Sequence, residues 1–429
     1  MERKSVLPSS TNVRRVDRFG LVDSDDYASA PILDVSSLAE ALETIAVTLR
    51  GIASGTDFSL LREFMARRVT YESASDFFLD IWPVIVDLAL EMPALFPEGA
   101  LPSLSPTQED CCLVVHQFLC SLPSHLWSTE SFVDLRPWYS VTSAVHRGAV
   151  DAYLTALFTY FERICDSAEG QKSILDFEPE EWPILFSMQK NDRRTSPPLL
   201  GLPDGACVIS ANKCVGYGRS GTQEELNVGA TPEAYPVVLL APALSDNQVL
   251  ICRGAEAMVS IIGYGRDAKL GKDFRSQVSK DHGTILWKNR TMLFMDALEL
   301  DTLPVEGDSL IPDPDIYPSS HLSRDMILKA YNWFSSDTYS HIVTGLWGCG
   351  TFGGNRYVKC ILQWCAAALA GVPELRFVLS TTEQHRLGES LLMKQMCDIL
   401  ITLKDKIHDV GRDGIFTYVA NEASLYDHS

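Results

Sequence analysis

Apolar positions recur every three or four residues from Ser36 to about Ile164, the period of helices that bury one face. The spacing predicts helices over Ser36–Ile52, Phe58–Val69, Ser75–Glu91, Gln108–Leu122 and Ala144–Ile164. The first opens on a serine cap, with Glu40 three residues after Ser37 in the arrangement of a capping box. Pro93, Pro97, Pro102 and Pro106 punctuate the stretch between the third helix and the fourth. No strand-like alternation interrupts the run, so residues 36–195 read as an all-α accessory domain. Phe77, Phe78, Trp82, Trp127 and Trp138 are expected in its core. Residues 1–35 are polar without a period and are expected to form a flexible arm.

The pattern changes between Cys165 and Pro203. An acidic run (Asp176 to Glu181), a mixed charged run (Lys190 to Arg194) and Pro197-Pro198 mark a junction. From Ala206 onward, apolar runs of strand length alternate with helical stretches. Strands are expected at Ala206–Ser210, Val249–Arg253, Thr291–Asp296, His341–Leu346 and Arg376–Ser380. Helices are expected at Gln223–Val228, Leu322–Phe334, Arg356–Ala370 and Ser390–Asp409. This alternation predicts a three-layer α/β domain over residues 196–429. Internal repeats and low-complexity tracts are absent.

The stretch with the most chemistry is Ser210 to Leu226, SANKCVGYGRSGTQEEL. A predicted strand leads through Asn212 into Gly216, Gly218 and Gly221, then into a helix that begins Gln223-Glu224-Glu225. Strand, glycine loop and helix start together can hold a phosphate on backbone N–H groups. Two carboxylates beside such a loop suit acid–base work on a phosphorylated substrate. Neighbouring residues on a helix diverge by about 100°, so only a pair at the helix start can both meet one ligand. A second glycine loop, GLWGCGTFGG from Gly345 to Gly354, again lies between a predicted strand and a helix. A bare turn before an ordinary helix, with an acidic first turn, would give the first pattern as well.

Composition narrows the class. With 429 residues, 46% hydrophobic and 21% charged, the chain is expected to fold as about two globular domains. No apolar run is long enough to span a bilayer, and the first residues lack the apolar core of a secretory signal. Eleven cysteines without CxxC spacing argue for a reducing compartment and against a zinc site. Nine histidines show no metal-ligand spacing. A formal net charge of −20 opposes direct binding to DNA or an anionic membrane.

The first glycine loop followed by Gln-Glu-Glu resembles the signature of poly(ADP-ribose) glycohydrolases. Gly263-Tyr264-Gly265, the loop from Gly345 to Gly354 and the alanine-rich end of the following helix fall in that family's order. The resemblance covers roughly Ala206 to Leu379. It implies a macrodomain-like catalytic domain behind the helical one, and an enzyme that hydrolyses ribose–ribose O-glycosidic bonds in poly(ADP-ribose) to release ADP-ribose. It implies Glu225 as acid/base, with Glu224 and Gln223 positioning the ribose and Asn212 on its hydroxyls. Gly216 and Gly218 would approach the phosphates, and Tyr264 would pack near the adenosine. Gly348, Gly350 and Thr351 would cradle the diphosphate under Phe352. No cofactor or metal is implied. The partners implied are poly(ADP-ribose), ADP-ribose and ADP-ribosylated proteins, for a monomer of the nucleus or cytoplasm acting in the DNA damage response.

The sequence departs from the family in several places. Tyr217 sits in the middle of the glycine triplet, where a positive φ would cost roughly 1–2 kcal/mol, so the turn must differ locally. The spacer from Gly218 to Gln223 is short. Ile209 replaces an acidic residue found in relatives, and Leu379 replaces an aromatic. Two other classes remain compatible with these residues: a macrodomain reader that holds ADP-ribose without turnover, and an interaction protein acting through its helical half.

Overall fold

The computed structural model describes residues 32–50, 57–71, 76–95, 108–122, 134–140, 144–169, 206–241, 243–244, 249–273, 290–297, 329–349 and 356–378. Among the described residues, the helices of seven residues or more are, in chain order, α1 (Val35–Arg50), α2 (Ser59–Tyr71), α3 (Trp82–Leu90), α4 (Gln108–Phe118), α5 (Ala144–Glu169), α6 (Gln223–Gly229) and α7 (Arg356–Leu369). The strands are β1 (Ala206–Ala211), β2 (Leu250–Arg253), β3 (Val259–Ile262), β4 (Lys269–Asp273), β5 (Thr291–Asp296), β6 (Ile342–Thr344) and β7 (Leu375–Phe377). The expected helix at Ser390–Asp409 and Trp127 lie outside the described residues, as do residues 1–31 of the arm and 170–203 of the junction. The end of the expected arm is ordered into the first unit, with Ile32 buried and Asp34 at the start of α1.

Two units share the chain, and their segments interleave in sequence. The first takes residues up to Trp182, then Cys214–Ala243 and Ala255–Lys288. It therefore contains α1 to α5 and also the first glycine loop, α6 and the antiparallel β3–β4 hairpin. The second takes Pro183–Lys213, Leu244–Gly254 and the rest of the chain from Asn289.

In the first unit, α5 is the central helix. Ala149, Val150 and every residue from Ala152 to Phe161 are buried, so the helix is enclosed on all sides. Phe158 stacks against Phe64, Phe77, Phe118 and Phe161 at centroid separations of 5.1–6.1 Å. Three helix boundaries differ from the expected ones for local reasons. The cap of α1 is Asp34, whose Oδ1 accepts the Ser37 N–H at 2.8 Å, while Ser37 Oγ accepts the Asp34 N–H at 3.2 Å. The box therefore runs from Asp34 to Ser37 rather than from Ser37 to Glu40. The single helix expected over Ser75–Glu91 is a π-helical turn, Phe77–Ile81, capped by Asp76, followed by α3 with Pro83 in its first turn. The helix expected to reach Leu122 stops at Phe118, because Cys120 turns the chain with φ 57°.

The second unit holds a five-stranded sheet in the order β2-β5-β1-β6-β7. β1 pairs in parallel with β5 and β6, and β6 with β7, while β2 joins β5 antiparallel at one edge. Central parallel strands are buried on both faces and so read as continuous apolar runs. Every residue of β5 is buried, as are Ala206, Cys207, Val208 and Ile209 of β1. One face packs Val208, Leu293, Met295 and Ile342 against Trp333, Phe334, Ile361, Cys365 and Ala366. Trp347 joins this core, and Trp364 packs at its margin.

Candidate active site

The turn before α6 builds the site. Thr222 stands at the N-cap in an extended conformation, with φ −71° and ψ 164°. Glu225, three residues on, returns its carboxylate to that cap. Its Oε2 accepts the Thr222 N–H at 3.2 Å, the Thr222 Oγ–H at 2.7 Å and the Ser220 hydroxyl. Glu224 diverges in the other direction, and its Oε1 accepts the Gly216 N–H at 2.8 Å. The two carboxylates are thus held separately, each by the loop that precedes them. Both are half-buried, as is Gln223. Glu225 Oε1 has no hydrogen-bond partner among the described residues.

Gly218 lies directly against that free oxygen, and a Cβ added at this residue would overlap Glu225 Oε1. Neither Gly216 nor Gly218 has a positive φ, so their role is close approach and not backbone freedom. At Gly216 a Cβ would fall 2.6 Å from Val238 Cγ1. Tyr217 also avoids positive φ; among described residues only Cys120, apart from glycines, adopts it. Tyr217 instead buries its ring, with centroids 5.2 Å from Trp138 and 5.6 Å from Tyr235. The ring in the glycine triplet is an anchor into the helical core.

That core also grips the loop through polar atoms. Trp138 Nε1–H donates to the Gly218 carbonyl at 2.7 Å, and the Tyr153 hydroxyl donates to the Ser220 carbonyl at 2.7 Å. Gln117 Nε2 donates to the Tyr235 carbonyl at 2.9 Å and to the Tyr217 hydroxyl at 3.3 Å. Gly229 in α6 has no side chain because Tyr153 occupies that space. Burial holds the Tyr153 hydroxyl well above the usual tyrosine range, and the charge of Glu225 adds to it. Tyr153 therefore remains a neutral donor. Trp138 was expected as core, and it is; its single donor on the catalytic loop was not legible in the sequence, nor were Tyr153 and Gln117. The signal would have been an aromatic with a polar tip in the helical half, but nothing in the sequence pairs it with a loop 80 residues away.

Tyr264 stands beside the same carboxylate. Its side chain is 59% exposed, and partial desolvation followed by the charge of Glu225 pushes its hydroxyl upward. The Gly265 N–H donates to the Gly221 carbonyl at 2.7 Å, which ties the 263–265 turn to the first glycine loop. The structure thus brings Gly216, Gly218, Gln223, Glu224, Glu225 and Tyr264 together in the first unit.

The remaining site residues belong to the second unit. Asn212 is exposed and follows the carboxyl end of β1, where open α/β sheets bind ligands. Gly348 has φ +72°, and a Cβ there would fall 2.6 Å from the Ala297 Cβ, so only glycine fits. Lys359 in α7 supports this turn from below, with Nζ 3.9 Å from the centroid of Trp347. Burial pushes its amine down to about 8, and the nearby Cys349, Lys329 and Asp296 modify this. Gln363 Nε2–H donates to the Gly345 carbonyl at 3.2 Å. Gly350, Thr351, Phe352 and Leu379 lie outside the described residues. Among the described residues, no group of three His, Cys, Asp or Glu side chains could hold a metal ion.

A helical unit whose aromatic core grips a glycine–Glu-Glu loop, together with a mixed sheet ending in a second glycine turn, defines a macrodomain-type α/β protein with a helical partner. Comparison with known families agrees. The family model described as poly(ADP-ribose) glycohydrolase, macro domain fold, matches residues 203–387, and that described as the helical domain matches residues 69–178. Together they cover more than half of the chain, which belongs to the poly(ADP-ribose) glycohydrolase family. Among curated relatives, poly(ADP-ribose) glycohydrolase 1 of Caenorhabditis elegans is 24% identical over 301 residues, covering 64% of this chain and 36% of that protein. Probable poly(ADP-ribose) glycohydrolase 2 of Arabidopsis thaliana is 20% identical over 388 residues, covering 73% of this chain and 74% of that protein. Poly(ADP-ribose) glycohydrolase 2 of Caenorhabditis elegans is 27% identical over 188 residues, covering 42% and 39%. The chain therefore spans little more than a third of either nematode relative's length.

Proposed function

We propose that this chain is a poly(ADP-ribose) glycohydrolase, releasing ADP-ribose by hydrolysis of ribose–ribose O-glycosidic bonds. The observation that carries the reading is the seat of Glu225: one carboxylate oxygen is fixed by three donors, and the other lies open against a glycine. A general acid needs that arrangement, because the proton must be delivered from a known position to the departing ribose oxygen. In this reading Glu225 Oε1 carries the proton to the leaving oxygen as the C–O bond breaks. Water then adds to the anomeric carbon of the oxocarbenium-like centre and returns its proton to Glu225, so the carboxyl group is regenerated. Glu224, held by the Gly216 N–H, supports the developing positive charge, and Gln223 orients the ribose. Asn212 takes ribose hydroxyls, and the turn at Gly348 takes diphosphate oxygens on its N–H groups. No step in this scheme calls for a metal or cofactor. The chain acts as a monomer on poly(ADP-ribose) and ADP-ribosylated proteins in the nucleus or cytoplasm.

One observation favours a second reading, a reader of ADP-ribose without turnover: the Thr222–Glu225 pair alone would stabilise an N-cap. The two are separated by ADP-ribose release from purified poly(ADP-ribose), comparing the native protein with Glu225→Gln. The hydrolase reading expects release to fall by at least about 100-fold in the variant while ADP-ribose binding persists. Binding without release by the native protein makes it a reader.

A further inference from the structure

Beside the catalytic loop lies a group of cations that the proposed chemistry does not use. Arg219 follows Gly218 in the loop, Arg266 is the middle residue of the short turn Gly265–Asp267 and Lys269 opens β4 just after it; all three are exposed. Among the described residues none of the three has an ion-pair or side-chain hydrogen-bond partner, although the chain carries 56 acidic residues against 36 basic ones. Several other arginines of the first unit are paired, Arg67 with Asp151, Arg68 with Glu162, Arg136 with Asp134, Arg147 with Glu63 and Arg163 with Glu256, whereas the exposed Arg62, far from the loop in sequence, is not paired among the described residues. Within residues 265–269 Arg266 and Lys269 outnumber Asp267, while Glu224 and Glu225 stand on the loop that carries Arg219.

The backbone places these residues along one continuous path. A Cβ at Gly221 would fall 2.5 Å from the Gly265 carbonyl and 2.6 Å from Ala268 Cβ, so the two segments lie in contact. A Cβ at Gly148 in α5 would fall 2.5 Å from the Ala268 carbonyl and 3.4 Å from Lys269 Cβ. The path therefore runs from Gly218 and Glu225 across residues 265–268 to Lys269. There it meets a cavity of about 410 Å³ lined by Phe64, Arg67, Arg68, Asp151, Lys269 and Leu270 among others, with Arg67 and Asp151 paired. That volume is in the range that accommodates a nucleotide-sized ligand.

We propose that Arg219, Arg266 and Lys269 contact the diphosphates of poly(ADP-ribose) beyond the unit being cleaved, leading the polymer from Glu225 toward the cavity at Lys269. The inference rests on the glycohydrolase reading for the identity of the polymer, though not on turnover. It resolves a conflict in the charge: a chain at −20 repels a polyanion at long range, and unpaired cations beside the active carboxylate supply local attraction. Substrates with several diphosphates gain contacts that a single ADP-ribose unit lacks.

The test is fluorescence anisotropy of labelled poly(ADP-ribose), in a Glu225→Gln background so that the probe is not consumed. Arg219→Ser, Arg266→Ser and Lys269→Ser are added together, and free ADP-ribose is titrated separately. Loss of three phosphate contacts should weaken polymer binding at least about ten-fold at low salt and reduce the slope of log affinity against log salt by about 2. ADP-ribose affinity should change less than about two-fold, and Arg219→Lys with Arg266→Lys, which keeps the charges, should retain most of the binding. Unchanged polymer binding overturns the proposal. So does an equal loss for free ADP-ribose, which would place the cations in the terminal-unit site, or equal competition by single-stranded RNA of matched length. A native protein that releases no ADP-ribose, yet loses polymer binding in the triple variant, would refute the hydrolase reading and leave this inference standing.

Discussion

Replacing Gly218 by alanine tests the catalytic geometry more sharply than removing Glu225, because it leaves every functional group in place. The backbone of Gly218 lies outside the left-handed region, so alanine brings no conformational penalty there. The added methyl overlaps Glu225 Oε1, and the loop cannot retreat easily, since the Gly218 carbonyl is held by Trp138 at 2.7 Å. The carboxyl group must therefore swing away, which breaks its bonds to the Thr222 N–H, the Thr222 hydroxyl and the Ser220 hydroxyl. A hydrogen bond to a charged group is worth about 1.5–3 kcal/mol, but water compensates much of this at a half-buried site. A net loss of about 1–2 kcal/mol in stability is expected, similar to the loss of an N-cap. If Glu225 is the general acid proposed above, the catalytic loss is larger, because displacing such a group by an ångström or more costs about 100-fold in kcat. Initial-rate assays on poly(ADP-ribose), with urea unfolding of the same preparations, measure both. Gly371→Ala is the control: its φ of +72° makes alanine unfavourable, but nothing lies within 4 Å, so it should cost about 1 kcal/mol and leave kcat unchanged. Wild-type kcat in Gly218→Ala would refute the claim that this glycine keeps Glu225 in its working position.

Two further predictions follow from the supports of the two glycine turns. Trp138→Phe keeps a ring against Tyr153, Tyr217 and Tyr235 but leaves the Gly218 carbonyl without its donor; a loss of about 1–3 kcal/mol in urea unfolding and about ten-fold in kcat with little change in KM is expected, and an unchanged kcat would make Trp138 a packing residue only. Lys359 has its amine lowered from 10.5 to about 8, so the unfolded chain binds the extra proton between those values and the residue's contribution to stability grows as pH rises from 8 to 10.5. At roughly 1.4 kcal/mol per pH decade the span is about 3 kcal/mol, so the stability difference between the native protein and Lys359→Met should shift by about that amount in favour of the native protein between pH 7 and 10.5, and a constant difference would show that Lys359 is not desolvated.

The sequence was most informative where one physical demand dominates. β5 lies at Thr291–Asp296 as expected, because its centre, Met292 to Met295, is the continuous apolar run that a strand buried on both faces needs. The β3–β4 hairpin was missed for the opposite reason. β4 reads Lys-Leu-Gly-Lys-Asp, and its strand character comes from pairing with β3 and packing on α5, neither of which leaves a period in five residues. The first glycine loop and Gln223-Glu224-Glu225 stand together in the structure, as their spacing in the sequence suggests. What the pattern could not supply was the reason for each. Gly218 is there to clear Glu225 and not to turn the chain, and Tyr217 interrupts the triplet because it serves as an anchor. A division into core residues and site residues fails at Trp138 and Tyr153: each buries its ring in the helical unit and directs its only donor at a carbonyl of the catalytic loop. The helical unit is therefore part of the machinery that fixes Glu225, and substitutions in it should be read first through kcat and only then through stability.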